Sequence, residues 1–302
     1  MNDAASPADT SRAPWKGAHI AALLTANVAI AFGPWWVRLS DVGPVATAFW
    51  RCLFALPILL LLLRREGGGA VRAGGAAVWI ALGAGAMFAF NMTSAYHGIA
   101  LTRLGNVALF GNSGGLLVLA WGLVAARRFP HRFEVLAIAS ALLGGALLLG
   151  SSLRVSMDSL NGDLLSLLAG AFYATYILML RPVRADFGQF TLLFWATLSA
   201  TPILLLTSLS FGETILSAIW WPMIVLMLSS HVIGQGLLVY SLPHFSPLVI
   251  GLALLTQPAI SATIGWLAFD EALGPVDVLG MGLMAAALVI ARIAGEFVPA
   301  KQ

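Results

Sequence analysis

The chain has 302 residues, 60% of them hydrophobic before its 31 glycines are counted and only 10% charged. A soluble domain carries about 45–50% apolar residues with glycine included and about 25% charged, so lipid is the solvent that fits. The net charge of +3 comes from 16 Lys/Arg against 13 Asp/Glu with no continuous basic patch, which excludes nucleic acid as a partner. The single cysteine, Cys52, excludes an internal disulfide.

A helix needs about 20 mostly apolar residues to cross a bilayer. After a polar segment, the first such run is 17–37, too long for a signal-peptide core and without a small-residue cleavage pattern. Further spans are expected at 43–63, 74–97, 105–126 and 133–152, then at 164–180, 190–209, 218–242, 245–269 and 276–293. The boundary between the eighth and ninth rests on Pro243, His244 and Pro247. Connecting loops are short. The fold class is therefore an all-α membrane protein with ten transmembrane helices.

Lys and Arg placement orients the spans. With the N-terminus cytoplasmic, Arg12, Lys16, Arg64, Arg65, Arg72, Arg127, Arg128, Arg132, Arg181, Arg184, Arg292 and Lys301 fall inside, and only Arg38, Arg103 and Arg154 outside. Both termini are expected on the cytoplasmic side.

The chain repeats itself. Residues 43–61 and 188–206 align without a gap at an offset of 145, pairing Phe49 with Phe194, Trp50 with Trp195 and Pro57 with Pro202. A fainter match at offset 143 pairs Gly122 and Val135 with Gly265 and Val278. Each unit, 17–152 and 162–293, then holds five helices, and an odd number forces the second copy into the membrane upside down. Inverted repeats are a recurring plan of secondary transporters, because exchanging the roles of the halves converts inward-open to outward-open.

The second span (Pro44, Phe49, Trp50, Arg51, Ala55, Pro57) and the charged turn into a Gly-rich helix that ends each unit (125–132 before Gly144 and Gly145; 268–275 before Gly280 and Gly282) resemble the EamA family of the drug/metabolite transporter superfamily. The family's acidic turn residue is matched by Glu271, whereas Arg128 stands in its place in the first unit. The resemblance implies export of amino acids, other metabolites or drugs across a bacterial inner membrane by alternating access. Within the family the chain resembles YddG-type aromatic amino acid exporters, which implies an aromatic preference.

Polar groups in lipid are costly and turn toward the bundle interior or a water-filled cavity. Arg51 lies 8 residues past Gly43, about 12 Å deep. It is expected either to be tied to helix-end carbonyls or lipid phosphate, favoured because Arg is common here across the family whatever the substrate, or to dock a substrate carboxylate. The third and eighth spans carry Asn91, Tyr96 and His97, then His231 and Gln235. These groups suit the two ends of a zwitterion; interhelical hydrogen bonding is the alternative. Gln257, Asn106 and Asn112 are further candidates, and Tyr173, Tyr176, Trp195, Trp266, Phe88 and Phe110 suit the walls of an aromatic pocket. Trp35 and Trp36 suit an interfacial belt, and the glycine clusters 83/85, 111/114/115 and 144/145 close helix packing. No span centre holds Asp or Glu, so facilitated or weakly coupled transport is expected, with His231 or His97 as the proton-carrier candidates.

One rival comes from another class. Gly111-Asn112-Ser113-Gly114 with His231 matches the Ser–His requirement of rhomboid-like intramembrane serine proteases, although those have fewer helices and no such repeat. There is no P-loop, metal cluster or dinucleotide fingerprint, so no cofactor is expected. The partners implied are a small-molecule substrate, an amino acid first, and the lipid bilayer, with the chain a monomer or homodimer.

Overall fold

The computed structural model describes residues 17–66, 75–101, 111, 113–127, 129–150, 160–184, 187–257, 259–260, 263 and 274–297. The described residues are helical with no strand. In chain order the helices are α1 (Gly17–Ala31), α2 (Gly33–Arg38), α3 (Pro44–Arg65), α4 (Ala76–Leu101), α5 (Ser113–Ala126) and α6 (Arg132–Gly150). They continue with α7 (Leu160–Val183), α8 (Gln189–Ser210), α9 (Trp221–Ser241), α10 (Pro247–Leu254) and α11 (Pro275–Phe297). Among the described residues, six stretches are long and apolar enough to cross a membrane: 17–37, α3, α4 up to Gly98, α7, α8 and α9. Ser113–Ala125 and Val278–Ala287 are shorter apolar helices.

The first expected span is interrupted at Phe32, where α1 hands over to α2 with Pro34 in its first turn. Proline is at home there because the first-turn N–H groups have no intrahelical partner. The second difference is in α9, whose middle, Met227–Gln235, is π-helical. No sequence period announces this. One extra residue per turn re-aims the side chains that follow, and such turns gather at functional sites.

Helix α4 packs against α7 and α8, α3 against α8, α5 against α10 and α7, α6 against α11, and α1 against the π-helical part of α9. Glycines let backbones approach at these contacts. A Cβ at Gly85 would collide with the Ala196 carbonyl, one at Gly114 or Gly144 would meet the Gly170 or Gly280 carbonyl, and one at Gly115 would press on Gly251 and Leu254. At one end, Trp50 donates its indole N–H to the Ile215 carbonyl at 2.6 Å and meets Trp220 edge-on. Trp35 and Trp36 stack nearby, and Trp36 meets Trp221 edge-on.

Helices α3 and α8 run antiparallel and cap one another. Glu66, just past the end of α3, accepts the backbone N–H groups of Phe190 and Thr191 at the start of α8, each at 3.1 Å. Glu213, just past α8, accepts those of Val45 and Ala46 at the start of α3, at 3.3 and 2.7 Å. Each carboxylate meets orphan N–H groups and the positive end of a helix dipole.

Candidate functional site

The interior where α3, α4, α7, α8 and α9 meet is polar. Arg51 is only 5% exposed. Its Nη2 donates to the Met92 thioether at 3.2 Å, and its guanidinium lies 5.4 Å from the centre of the Phe88 ring. Neither is an anion. The Nε donor has no partner. The side chain therefore lies inward among α3 and α4 neighbours and is not tied to helix-end carbonyls. Burying an ion without a counter-ion costs several kcal/mol, and Arg51 has no anionic partner among the described residues.

The Phe88 ring joins Arg51 to the rest of the cluster. It lies 5.2 Å from the Tyr176 ring and 5.7 Å from the His231 imidazole, centre to centre. Tyr176 donates its hydroxyl to Gln235 Oε1, and Gln235 Nε2 donates to the Tyr173 hydroxyl, both at 3.4 Å. Tyr173 and Tyr176 stack at 5.9 Å. Tyr96 is partly buried and packs against the same core. Asn91, three residues along α4 from Phe88, donates Nδ2 to the Ala169 carbonyl of α7 at 2.7 Å, while its Oδ1 is buried without a partner. His231 is 1% exposed and sits in the π-helical stretch; its Nε2 meets the Thr197 hydroxyl at 2.8 Å and its Nδ1 has no partner. Buried polar atoms are nearly always paired; of the six side-chain atoms left without a partner among the described residues, three belong to Arg51, Asn91 and His231 and the others to Trp36, Thr93 and Gln189.

Of the sequence candidates, Arg51, Asn91, Tyr96, Tyr173, Tyr176, His231 and Gln235 belong to this cluster. Gln257 donates to Asn27 on α1 at 3.3 Å, a buried partner the sequence reading passed over. His97 lies elsewhere, bonded to the Thr93 carbonyl at 2.8 Å and packed on Phe211. Trp195 packs at the edge of the core against Phe194. Trp266, Phe110, Asn106, Asn112 and Glu271 fall outside the described residues. Thr197 was missed, although the gapless repeat pairs it with Cys52, the neighbour of Arg51. A hydroxyl beside the repeat partner of a buried arginine was the available signal. The Ser–His pair of the protease reading does not form: Ser113 donates to the Leu167 carbonyl at 3.4 Å, and His231 faces Thr197 and Phe88.

The model of the EamA-like transporter family matches residues 160–293. Over that stretch the chain is similar to EamA-like transporter domains. The threonine/homoserine exporters RhtA of Escherichia coli K12 and of Escherichia coli O157:H7 are each 30% identical to this chain over 152 residues, 49% of this chain and 50% of the relative. The chain thus spans about half the length of the curated relatives it matches. One solved crystal structure superposes with a TM-score of 0.77 at 14% identity, covering 94% of this chain and 100% of that one; at that identity the likeness is of fold alone.

Proposed function

We propose that this chain is a secondary transporter of the bacterial inner membrane that exports small metabolites, amino acids first, by alternating access. The two units are 17–152 and 162–293, inverted relative to each other, with ten spans in all and both termini cytoplasmic. The packing supports this reading. Exchanging α1 with α7, α3 with α8, α4 with α9, α5 with α10 and α6 with α11 turns each major helix contact into another that exists. The α4–α7 contact maps onto α9–α1, α4–α8 onto α9–α3, and α3–α8, α5–α10 and α6–α11 onto themselves. The reciprocal caps Glu66 and Glu213 obey the same exchange.

The observation that carries the substrate class is Arg51, a buried cation with no carboxylate partner among the described residues and with its own Nε unpaired. A carboxylate-bearing solute completes it. The relatives named as amino acid exporters point the same way. An aromatic preference is supported by Phe88, Tyr173 and Tyr176 beside the cation. Among the described residues no Asp or Glu is buried, which favours facilitated or weakly coupled export by a monomer or homodimer.

The test is a counterflow panel in proteoliposomes covering aromatic and small polar amino acids, nucleotide sugars and cationic drugs. Movement of amino acids, lost in Arg51→Gln, is the expected result. If only nucleotide sugars or cationic drugs move, the amino acid reading fails while the fold stands.

A further inference from the structure

We infer that Thr197 is a positioning residue for substrate amino-group recognition: it fixes the tautomer of His231 so that a bare ring nitrogen receives a primary ammonium. This rests on the amino acid reading of the cluster above.

The assignment follows from counting protons. Thr197 Oγ1 lies 2.6 Å from the Leu193 carbonyl oxygen. A carbonyl has no proton to give, so at that distance the hydroxyl hydrogen points at Leu193. The same Oγ1 lies 2.8 Å from His231 Nε2. With its one hydrogen already placed, the hydroxyl can only accept there, so Nε2 carries the ring proton. A neutral imidazole has a single N–H, and Nδ1 is left as a lone pair. That atom is buried and without a partner. Sequence placed His231 at the site but could not say which nitrogen faces it.

Asn91 presents the same kind of atom by the same logic. Its Nδ2 donates to the Ala169 carbonyl, which leaves Oδ1 as a buried, unpaired acceptor. Arg51 Nε is the complementary case, an unpaired donor on a cation. The unpartnered atoms are thus two acceptors and one cationic donor; Phe88 meets both Arg51 and His231, and Asn91 lies three residues along α4 from it. An α-amino acid zwitterion is the inverse set: its ammonium donates three times and its carboxylate accepts. Solutes with only one of the two charges leave part of the set unmatched and part of the desolvation cost uncompensated. The substrate class is thus a free amino acid with an unmodified amino group, and Thr197 acts on it only through His231.

The experiment uses the full chain labelled with 15N-histidine in lipid nanodiscs, with the His231 resonances assigned by their loss in His231→Gln. The wild type is expected to show a protonated Nε2 and a bare Nδ1, and threonine or phenylalanine as probe to shift Nδ1. Thr197→Val removes the acceptor and is expected to give a tautomer mixture and a roughly tenfold higher KM for amino acid transport with Vmax largely kept, the loss of about one hydrogen bond. Thr197→Ser, which restores the hydroxyl, is expected to restore both, and the N-acetylated probe is expected not to move. A bare Nε2 in the wild type overturns the tautomer whatever is transported. A bare Nδ1 in protein that moves N-acetylated and free amino acids alike overturns the ammonium assignment. A bare Nδ1 in protein that moves no amino acid overturns the functional reading beneath it and leaves the tautomer standing.

Discussion

Glu66 and Glu213 perform the same act on opposite ends of one helix pair. The N–H groups they accept, of Phe190 and Thr191 and of Val45 and Ala46, occupy equivalent positions in the gapless 145-residue alignment. A carboxylate at a helix N-terminus contributes about 0.3–1 kcal/mol, and up to ~2 in partly buried geometry. Each of Glu66→Gln and Glu213→Gln is expected to destabilise by about 1 kcal/mol. The two sites sit at opposite ends of helices about 33 Å long, so the losses should add. Thermal unfolding in detergent of both single variants and the double checks this; a strongly non-additive double would mean that the two caps are not independent.

The glycines under these caps give a second test. A Cβ at Gly43 would strike the Glu213 carboxylate, and one at Gly188 the Glu66 carboxylate. Gly43→Ala must therefore expel Glu213 from its cap and should cost about as much as losing it, roughly 1–2 kcal/mol. In a Glu213→Gly background, which also removes the Cβ that lies in the way, the same substitution has nothing left to expel. A thermodynamic cycle over the two positions should show the glycine change nearly free once the glutamate is gone.

Arg51 separates stability from function. A buried charge without an anion is a cost to the fold, and replacing such a group by an apolar side chain of similar size is often neutral or stabilising. Arg51→Met is expected to hold or raise the unfolding temperature while amino acid transport falls to background. A variant that unfolds and fails together would instead assign Arg51 to the core, as a partner of Met92 and Phe88.

The long apolar runs, the matched Phe-Trp pairs and the inward helix faces were legible because lipid forces them on the chain. Arg51, Asn91, His231 and Gln235 could be singled out for the same reason, since each is costly in hydrocarbon. What stayed hidden depends on facing elements. Glu66 and Glu213 look like ordinary loop acids until the opposite helix arrives. Thr197 looks like a β-branched filler until His231 meets it from α9, and the π-helical stretch that carries His231 has no signature in hydropathy.

The loop after α8 is tied to the end of α2 by a titratable group. Asp41 accepts the Ser217 hydroxyl and, at 2.7 Å, the Ala218 N–H. Those two bonds, the hydroxyl first, hold its carboxyl below the ordinary value of 3.8. A depressed folded-state pKa means the tie contributes above the unfolded value and is lost as pH falls through the folded one. At neutral pH it is fully present. Amide hydrogen exchange at Ala218 should be slow at neutral pH and, after correction for intrinsic rates, lose its protection only as the pH drops below that ordinary value. In Asp41→Asn the protection should no longer depend on pH in that range.

The inverted arrangement makes a prediction about sides. If the two units oppose each other in the membrane, the end of α3 and the end of α7 share one face, and the loop after α8 lies on the other. Cys52 is fully buried, so the wild-type thiol should be silent to a membrane-impermeant maleimide. Arg64→Cys and Arg181→Cys should then label from the same side of inside-out vesicles. Leu216→Cys, at a position 78% exposed in the loop after α8, should label only from the opposite side. Arg64→Cys and Arg181→Cys reacting from different sides would leave α3 and α7 ending on opposite faces. The five-helix units would then have the same orientation or a different number of spans, and the exchange of helix contacts would need another origin.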